Sequence, residues 1–428
     1  MEVSVAAQSR IPGFRDESPS GRRALAAECA GVPSDALEAW ESGGLGLEQA
    51  DHMIENVVGT FGMPIGVATN FTVNGSDVLV PMVTEEPSVV AAASNAARIA
   101  RERGGFRTSS SAPIMQAQVQ VLDVADPDGA RVRLLEAAEE LILLANDQDP
   151  KLVSLGGGAL DLKVRTVEGR NDRYVVVHLV VDVRDAMGAN AVNTMAEAVA
   201  DRVGQIAGGR VLLRILTNKA DMRLARARAV FSAEALGGAE VVGDLVHAAK
   251  LAEIDPYRAA THNKGIMNGV TAVVLATGND TRAVEAGAHS HAVGARGQYT
   301  ALSHFEVDRD GDLVGTLELP MPVGLVGGAT TVHAAAQAAV RMLGVGSASG
   351  LAEIITAVGL AQNFAALRAL ATEGIQRGHM SLHARNIAIS VGATAEEIPE
   401  VVGRLIADRA IRTDRAEQVL ADIRSSGS

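Results

Sequence analysis

With 428 residues and a formal charge of −13, the chain is long enough for two or three domains and too acidic for a general nucleic-acid-binding protein. Hydrophobic residues make up 47% of it and aromatic residues only 3%, so we expect cores built from Ala, Val, Leu and Ile. Cys29 is the only cysteine, which excludes an internal disulfide and a zinc site or iron–sulfur cluster built on cysteines. No stretch has the pattern of a signal peptide or an uninterrupted membrane span, so we expect a soluble, cytoplasmic protein.

The N-terminal region is predicted to be an extended arm over residues 9–23, followed by two helices. The arm carries four arginines, Arg10, Arg15, Arg22 and Arg23. A solvated tail is the alternative interpretation, because chain termini are commonly poorly ordered. One helix that includes Trp40 is expected after a cap at Ser34 or Asp35, and another over residues 47–59.

A β-hairpin and a long helix are expected next. Residues 65–73 and 77–81 have the pattern of strands, and Asn74-Gly75 between them is a strong signal for a tight hairpin turn. The TEEP sequence then begins an Ala-rich helix, with Pro87 at the first helical position and Glu86 at or next to the N-cap. A carboxylate at that place is commonly a plain cap that interacts with the helix dipole.

After a linker rich in small residues, the middle of the chain has an order of elements that is typical of one fold. We predict a strand over 114–124, a helix over 131–145, strands over 159–167 and 174–183, a helix over 190–206 and a strand over 210–216. This β-α-β-β-α-β order is the split βαβ, or ferredoxin-like, arrangement. A dinucleotide domain of Rossmann type needs a G-x-G-x-x-G sequence after its first strand, and none is present. The predicted domain is therefore not a Rossmann fold.

The junction between the third strand and the second helix of this unit is a candidate anion site. The strand over 174–183 is followed by a turn at Gly188, and Asn190 is predicted to cap the next helix. Unpaired N–H groups at a helix start can bind an anionic group such as a pyrophosphate. An ordinary connection between a strand and a helix explains the same residues, so these residues alone leave both interpretations open.

The second half of the chain begins with two predicted helices, over 220–229 and 241–252. Two polar loops are then expected on either side of a buried strand over 270–276, one carrying Lys264 and the other Asp280. A lysine held near a carboxylate and a substrate carbonyl can stabilise a developing oxyanion, whereas a solvated surface lysine has no such role. Whether Lys264 and Asp280 meet depends on the fold.

Towards the C-terminus we expect a glycine-rich turn and two packed helices over residues 319–370, and then a polar unit of charged helices. His379 and His383 lie four residues apart, which on a helix would place both imidazoles on one face and suggests a metal site. His289 and His291 add to that hypothesis. Since neither an HExxH sequence nor a set of three ligands is present, we expect no metal.

Eight segments spread over nearly the whole chain together indicate a family. They are MIENVVGTF, TEEPS, GGFRTSSSAP, VDVRDAMGAN, YRAATHNKGIMNG, ATGND, MPVGLVGGAT and RGHMSLHARN. In this order they closely resemble the soluble bacterial class II 3-hydroxy-3-methylglutaryl-CoA (HMG-CoA) reductases. One such segment would only be suggestive, whereas all of them in order make the resemblance specific.

The resemblance implies a reaction and the residues that carry it. HMG-CoA would be interconverted with mevalonate and CoA by two hydride transfers with a nicotinamide cofactor, through mevaldyl-CoA and mevaldehyde. By the same resemblance Glu86 is the general acid for the aldehyde-level oxygen and Lys264 stabilises the oxyanion. Asp280 would hold that lysine, and His379 would protonate the departing CoA thiolate.

The fold implied by the resemblance is α+β. A large mixed domain surrounds a long central helix, a ferredoxin-like cofactor domain that is not of Rossmann type is inserted into it, and a helical flap ends the chain. We expect the large domain over 1–110 and 218–375, the small domain over 111–217 and the flap over 376–428. Active sites would form between the subunits of a homodimer, which can associate further, and neither nucleic acid nor a membrane would be a partner.

Ligand contacts are implied as well. Six consecutive residues would line the cofactor site: Asp185, Ala186, Met187, Gly188, Ala189 and Asn190. Four side chains would contact HMG-CoA: Arg15, Arg258, Thr261 and Asn268. Asp149 lies where the cofactor ribose is expected, and a carboxylate there can bind a 2′-hydroxyl and would repel a 2′-phosphate. We therefore predict NADH over NADPH; Lys151, close by, favours the opposite choice, so NADP stays an alternative cofactor.

Two other functions are compatible with these residues. One is a metal-assisted acyl-CoA hydrolase that uses the histidines, and the other is a catalytically silent CoA-binding protein. A reductase should consume NADH when given HMG-CoA and should be indifferent to chelators, which neither alternative would match.

Overall fold

Two β-sheets organise the protein. The computed structural model describes residues 7–294, 297–372 and 375–426, apart from the side chains of 375–382 and 426. The strands are β1 (Ile65–Val73), β2 (Ser76–Val83), β3 (Phe106–Ser110), β4 (Ile114–Leu122), β5 (Gly158–Glu168), β6 (Arg173–Asp182), β7 (Arg210–Leu216), β8 (Leu224–Phe231), β9 (Ser303–Val307) and β10 (Leu313–Pro320). The helices are α1 (Pro19–Ala30), α2 (Leu47–Met53), α3 (Val89–Arg101), α4 (Pro127–Glu136), α5 (Ala138–Asn146), α6 (Pro150–Ser154), α7 (Ala189–Ala207), α8 (Ala233–Leu236), α9 (Ala239–Ile254), α10 (Pro256–Ala276), α11 (Thr281–His291), α12 (Ala329–Val332), α13 (Ala334–Leu343), α14 (Ala348–Ala371), α15 (Ile375–Ser390), α16 (Ile398–Ala407) and α17 (Thr413–Ser426). This mixture of helices and sheets confirms the predicted α+β class.

The larger sheet has six strands in the order β2-β1-β3-β8-β10-β9. Its strands pair antiparallel except β1 and β3, which meet in parallel where Val73 pairs with Phe106. The long helices α10 and α14 pack on each other and contribute to the core of this sheet. The rings of Phe231 and Phe364 stack there with centroids 3.7 Å apart, which ties β8 to α14.

The smaller sheet has four antiparallel strands in the order β5-β6-β4-β7, with α4, α5 and α7 packed on it. Its β6 is a near-continuous run of valines, and the strand is buried on both faces. The chain leaves the larger sheet at β3 and returns at β8, and these two strands pair directly from Phe106–Ala229 to Ser110–Ala225. The four-stranded unit is therefore inserted between two neighbouring strands of the larger sheet.

The predicted hairpin is confirmed. Strand β1 has the predicted bounds, and both turn residues have positive φ, 49° at Asn74 and 85° at Gly75. A two-residue turn with two positive φ angles matches the right-handed twist of the strands that it joins.

Strand β7 also has its predicted bounds, whereas the helix predicted over 131–145 is interrupted at Ala137, where α4 ends and α5 begins.

Two predictions of secondary structure are wrong. Residues 220–229 were predicted to be helical, but most of them belong to β8, in which Ala225, Ala227 and Ala229 are buried while the arginines between them are not. That alternation is the period of a strand, and it outweighs the helix propensity of alanine. The predicted strand over 270–276 is the second half of α10, which is buried on most of its circumference. A short apolar run of that kind does not distinguish a buried strand from a buried helix.

The N-terminal arm is more ordered than predicted. Arg22 and Arg23 lie in α1 and not in an extended segment. Ser9 is fully buried, and its hydroxyl donates to the carbonyl of Phe71 at 2.7 Å. A solvated tail is therefore excluded for the start of this segment. The helix predicted over 47–59 ends at Met53, and the segment after it is exposed.

Helix α14 is long and apolar enough to cross a membrane by length and composition alone. Two thirds of its most apolar window, 67%, is buried inside the protein, so it is a core helix. The last three helices, α15 to α17, share a separate small core around Val401, Leu405 and Val419. The C-terminal helices thus pack mainly on one another.

Candidate active site

One face of α10 carries four of the predicted site residues. The buried residues of this helix face the core, whereas Arg258, Thr261, Lys264 and Asn268 lie on its unburied side. They follow one another at three- or four-residue intervals, which on an α-helix places them in a single stripe. The structure therefore brings together on a helix residues that the sequence analysis had assigned to a loop.

Glu86 meets this stripe. Lys264 Nζ donates to Glu86 Oε2 at 2.7 Å, and Asn268 Nδ2 donates to the same oxygen at 3.2 Å. The side chain of Lys264 is 61% exposed and that of Glu86 is 34% exposed, so the pair lies at the edge of the protein and not in its core. An ammonium group and an amide that converge on an accessible carboxyl group can bind a carbonyl oxygen, and the carboxyl group can protonate that oxygen when it carries a proton itself.

Glu86 is not the helix cap that was predicted. Helix α3 begins at Val89, and its N-cap is Ser88 with a left-handed φ of 75°, so Pro87 lies outside the helix. Residues 84–88 instead form a turn in which Glu86 N donates to Thr84 Oγ1 at 3.1 Å. Because the carboxylate is not occupied by capping α3, it is free to extend towards α10.

The part of α10 around Lys264 is anchored by a buried polar network. His262 is 2% exposed, and its Nε2 lies 2.6 Å from Ser303 Oγ, which in turn donates to Asn363 Oδ1 at 2.7 Å. Burial lowers the pKa of His262 to about 4, with help from the charge of Arg258. The network joins α10 to β9 and α14, and the sequence analysis missed it because nothing in the THNKG sequence shows which residue is buried.

Asp280 lies beyond the C-terminal end of α10. It caps α11 through the N–H groups of Arg282 and Ala283, and its carboxylate also accepts from Arg282 Nε at 3.1 Å and Nη2 at 3.3 Å. Burial raises the pKa of this carboxyl, but the hydrogen bonds outweigh burial, and the pKa of Asp280 lies below its usual value. The predicted contact with Lys264 is absent from the described contacts of the two residues. Twelve residues separate Lys264 from the end of the helix, which is about 18 Å of rise.

Asp280 lines a cleft of about 730 Å³ between the two sheets, a size typical of ligand sites. Five of the six predicted cofactor residues line it, namely Ala186, Met187, Gly188, Ala189 and Asn190. Asp149 and Gln148 line it from the small sheet, and the glycine-rich turn over 324–330 lines it from the large one. The cleft therefore collects residues from both halves of the fold.

The backbone at the start of α7 fits an anionic group. Gly188 is the N-cap of this helix with φ at 102°, and none of the described side chains caps the N–H groups of the first turn. A Cβ at Gly188 would lie 2.6 Å from a methyl of Val183, so only glycine fits. Asn190 is in the first turn and is not the predicted N-cap. Unpaired N–H groups at the positive end of a 19-residue helix are suited to a phosphate.

The remaining predicted cofactor residue, Asp185, has a different contact. Its Oδ1 accepts from the N–H of Ala348 at 2.7 Å, at the first turn of α14, and it is absent from the residues that line the cleft. Arg223, 5% exposed, donates to the carbonyls of Ala186, Met187 and Val323 at 3.1, 3.1 and 2.6 Å. Burial lowers the pKa of Arg223 to about 10, against the attraction of nearby carboxylates. These contacts fix the loop over 185–188 to the large sheet. Arg223 was not predicted as a site residue.

Asp149, Arg15 and His379 are the remaining predicted site residues. Asp149 caps α6, with Oδ1 accepting from Leu152 N at 2.9 Å, and still lines the cleft. Arg15 is exposed on the 3₁₀ turn Phe14–Asp16, which packs with the cluster that joins α1 to α13. His379 lies on α15, but its side chain falls outside the described residues.

Within the described residues, no group of three or more His, Cys, Asp or Glu could hold a metal ion.

The comparison with known proteins decides the family. The family model of hydroxymethylglutaryl-coenzyme A reductase matches residues 18–384. The chain belongs to this family. The HMG-CoA reductase of Archaeoglobus fulgidus is 54% identical over 99% of the chain and 97% of its own length. The probable HMG-CoA reductase of Borreliella burgdorferi is 38% identical over 78% of the chain and 77% of its own.

Solved structures agree with this family. The HMG-CoA reductase of Streptococcus pneumoniae superimposes with a TM-score of 0.83 at 40% identity, over 96% of this chain and 99% of that one. A structure of the class II enzyme from the same organism bound to NADPH in open conformations gives a TM-score of 0.81 at 40% identity, over 95% and 100%. The class II resemblance seen in the sequence is therefore confirmed.

Proposed function

We propose that the chain is an HMG-CoA reductase that interconverts HMG-CoA with mevalonate and CoA, using a nicotinamide cofactor. The observation that carries the proposal is the contact of Lys264 and Asn268 with one oxygen of Glu86, in a member of this family. A cation and an amide donor held at an accessible carboxylate can bind a carbonyl oxygen and stabilise the negative charge that develops on it.

The same three residues serve two successive reductions, through mevaldyl-CoA and mevaldehyde. The bound cofactor supplies the hydride in each. Lys264 stabilises the oxygen that gains negative charge, and Glu86 donates a proton to the aldehyde-level oxygen. Because Lys264 and Glu86 lie 2.7 Å apart, the two groups are oriented before the substrate binds, which removes part of the reorganisation from the barrier. Arg258 and Thr261 on the same face, with Arg15 of the arm, bind HMG-CoA.

His379 protonates the CoA thiolate that leaves between the two reductions. An imidazole suits this task because its pKa lies near neutrality and close enough to that of a thiol for a proton to pass between them. His379→Gln should slow the steps that involve CoA more than the reduction of free mevaldehyde. Equal losses in both assays would contradict this role.

The active site is completed by a second copy of the chain. The Glu86–Lys264 pair lies near the middle of α10 and the Asp280 cleft lies beyond its C-terminal end, about 18 Å away by helical rise, so one chain carries two separate halves. A twofold axis would place the Asp280 half of one subunit against the Lys264 half of its partner. Three large apolar side chains support such a contact, because Ile54, Val58 and Phe61 are 66%, 100% and 92% exposed. In this arrangement Asp280 holds the Lys264 of the other subunit, and the homodimer can associate further.

The cleft holds the nicotinamide cofactor. Its support is the set of uncapped N–H groups at the start of α7 and the close approach of Gly324, where a Cβ would lie 2.4 Å from Met187 N. NADH is preferred over NADPH because the Asp149 carboxylate lines the same cleft and would repel a 2′-phosphate. The relative from Streptococcus pneumoniae binds NADPH, so a preference for NADH in this chain would have to come from its own residues.

The domain limits follow the same proposal. Residues 111–217 form a ferredoxin-like cofactor domain inserted between the two parts of the large domain, 1–110 and 218–375. Residues 376–428 form a flap that carries His379 over the substrate. The support is the strand order of the smaller sheet and the separate core of the C-terminal helices. The enzyme acts in the cytoplasm.

Purified protein tests the function directly. With HMG-CoA it should oxidise NADH, and with mevalonate and CoA it should reduce NAD, with EDTA having no effect on either rate. Release of free CoA without consumption of the nicotinamide would indicate the hydrolase instead. Binding of HMG-CoA with neither reaction would indicate a silent CoA-binding protein.

A further inference from the structure

One charged group of the cofactor cleft, Arg282, pairs with Asp280 but has no role in ligand binding so far. Arg282 is the only cationic side chain among the described residues that line the cleft, which also contains the carboxylates of Asp149 and Asp280. Without Arg282 the side chains of this lining would carry only negative charge. A dinucleotide has a pyrophosphate with two negative charges, so such a cleft would repel it.

The helix dipole, taken alone, disfavours the charge of Arg282. Arg282 is the second residue of α11, where the helix dipole disfavours a positive charge. Its side chain is nevertheless there and is 89% exposed. Charged residues that oppose a local preference are commonly retained for function.

Arg282 can hold Asp280 and a ligand at the same time. Its bonds to Asp280 use Nε and Nη2, at 3.1 and 3.3 Å. A guanidinium has five N–H donors in a rigid fork, so donors are left over for a second anion. Arginine is also the side chain best suited to bidentate contact with phosphate oxygens.

We propose that Arg282 is a phosphate ligand of the cofactor and binds the pyrophosphate together with the N–H groups at the start of α7. The inference rests on the proposed cofactor site. The pyrophosphate is favoured over a 2′-phosphate because Asp149, in the same cleft, opposes a phosphate at the ribose. Because NAD and NADP share the pyrophosphate, Arg282 should contribute equally to the binding of both cofactors.

The test is a direct binding measurement with the full-length protein, without HMG-CoA. The dissociation constants of NADH, NADPH and ADP-ribose are measured for wild type, Arg282→Gln and Arg282→Lys. Loss of a charge-assisted contact should raise all three constants by roughly 10-fold to 100-fold in Arg282→Gln, and Arg282→Lys should recover part of the loss. Arg202→Gln is the matched control, since Arg202 is another exposed arginine paired with a carboxylate, Glu140. It should bind all three ligands as wild type does.

Two results would overturn the inference. Unchanged constants in Arg282→Gln would show that the arginine acts only on Asp280, and a loss confined to NADPH would place the contact at the 2′-phosphate. Asn190→Asp separates these results from a failure of the cofactor site itself, because a new carboxylate at the start of α7 should weaken every dinucleotide. If wild type binds NADH and neither Asn190→Asp nor Arg282→Gln weakens it, the cofactor binds elsewhere and the proposed site is wrong. If only Asn190→Asp weakens it, the site stands and the role of Arg282 is wrong.

Discussion

The middle of α10 and its C-terminal end carry two groups of candidate site residues that differ in their contacts. Near the middle of the helix, Lys264 and Asn268 contact Glu86, and a buried network through His262 fixes that part of the helix. Beyond the C-terminal end, the Asp280 carboxylate accepts from Arg282 and Ala283 of α11, and it borders an open cleft. The first group is the proposed oxyanion site, and the second borders the proposed cofactor site. This difference is what we expect if, as proposed, each chain supplies two halves to different active sites.

Lys264→Ala should have the largest effect, because it removes the cation of one half. We expect kcat to fall on the order of 10²-fold to 10³-fold or more, the range for loss of an oxyanion donor. The fold should be unchanged, since the Lys264 side chain is 61% exposed. Steady-state rates with HMG-CoA and NADH measure the loss, and thermal unfolding checks the fold.

Lys250→Ala, which changes an exposed lysine on α9, is the matched control and should keep wild-type activity. Substantial residual kcat in Lys264→Ala would remove Lys264 from the chemistry.

The stability that the buried His262 network gives to the part of α10 around Lys264 should depend on pH. The pKa of His262 is about 4 in the folded protein and 6.5 when unfolded, so the unfolded chain binds the extra proton between these values. Stability should therefore fall as pH drops from 6.5 to 4, by about 3 kcal/mol for this one group, and change no further through it below 4. Urea unfolding at a series of pH values measures it.

His262→Gln should be less stable at pH 7 but should lose less stability on acidification, because it has no group to protonate. His52→Gln, on the exposed α2, is the control and should follow the wild-type pH profile. Parallel profiles for wild type and His262→Gln would contradict the assignment of a neutral buried imidazole.

The cofactor half should respond to Asp149→Ala with the smallest change. If the carboxylate repels a 2′-phosphate, the ratio of kcat/KM for NADH to that for NADPH should fall several-fold, on the order of 1 kcal/mol. Asp147→Ala, two residues away and exposed, should leave the ratio as it is. Comparable kcat/KM for both cofactors in wild type would refute the NADH preference at once.

Local patterns in the sequence predicted much of the fold and less of the site. The Asn-Gly turn specifies the β1–β2 hairpin, because its two residues tolerate positive φ. The alternation of alanine and arginine in β8 is the pattern of a strand, whereas the high helix propensity of alanine favours the helix that was predicted there. The contact of Glu86 with Lys264 joins residues 178 positions apart, and no local pattern encodes such a distance. The roles of these residues came from the family resemblance, and Arg223 and His262 were missed because burial of a polar side chain is decided by tertiary packing.

In the proposed dimer, each active site takes Lys264 from one subunit and Asp280 from the other. Subunits with Lys264→Ala and subunits with Asp280→Asn, each inactive alone, can be unfolded together in equal amounts and refolded to form mixed dimers. A mixed dimer has one site with both defects and one with neither, and half of the dimers are mixed, so about a quarter of the wild-type activity should return. If the two residues act within one chain, every site keeps one defect, and the mixture should remain as inactive as its components.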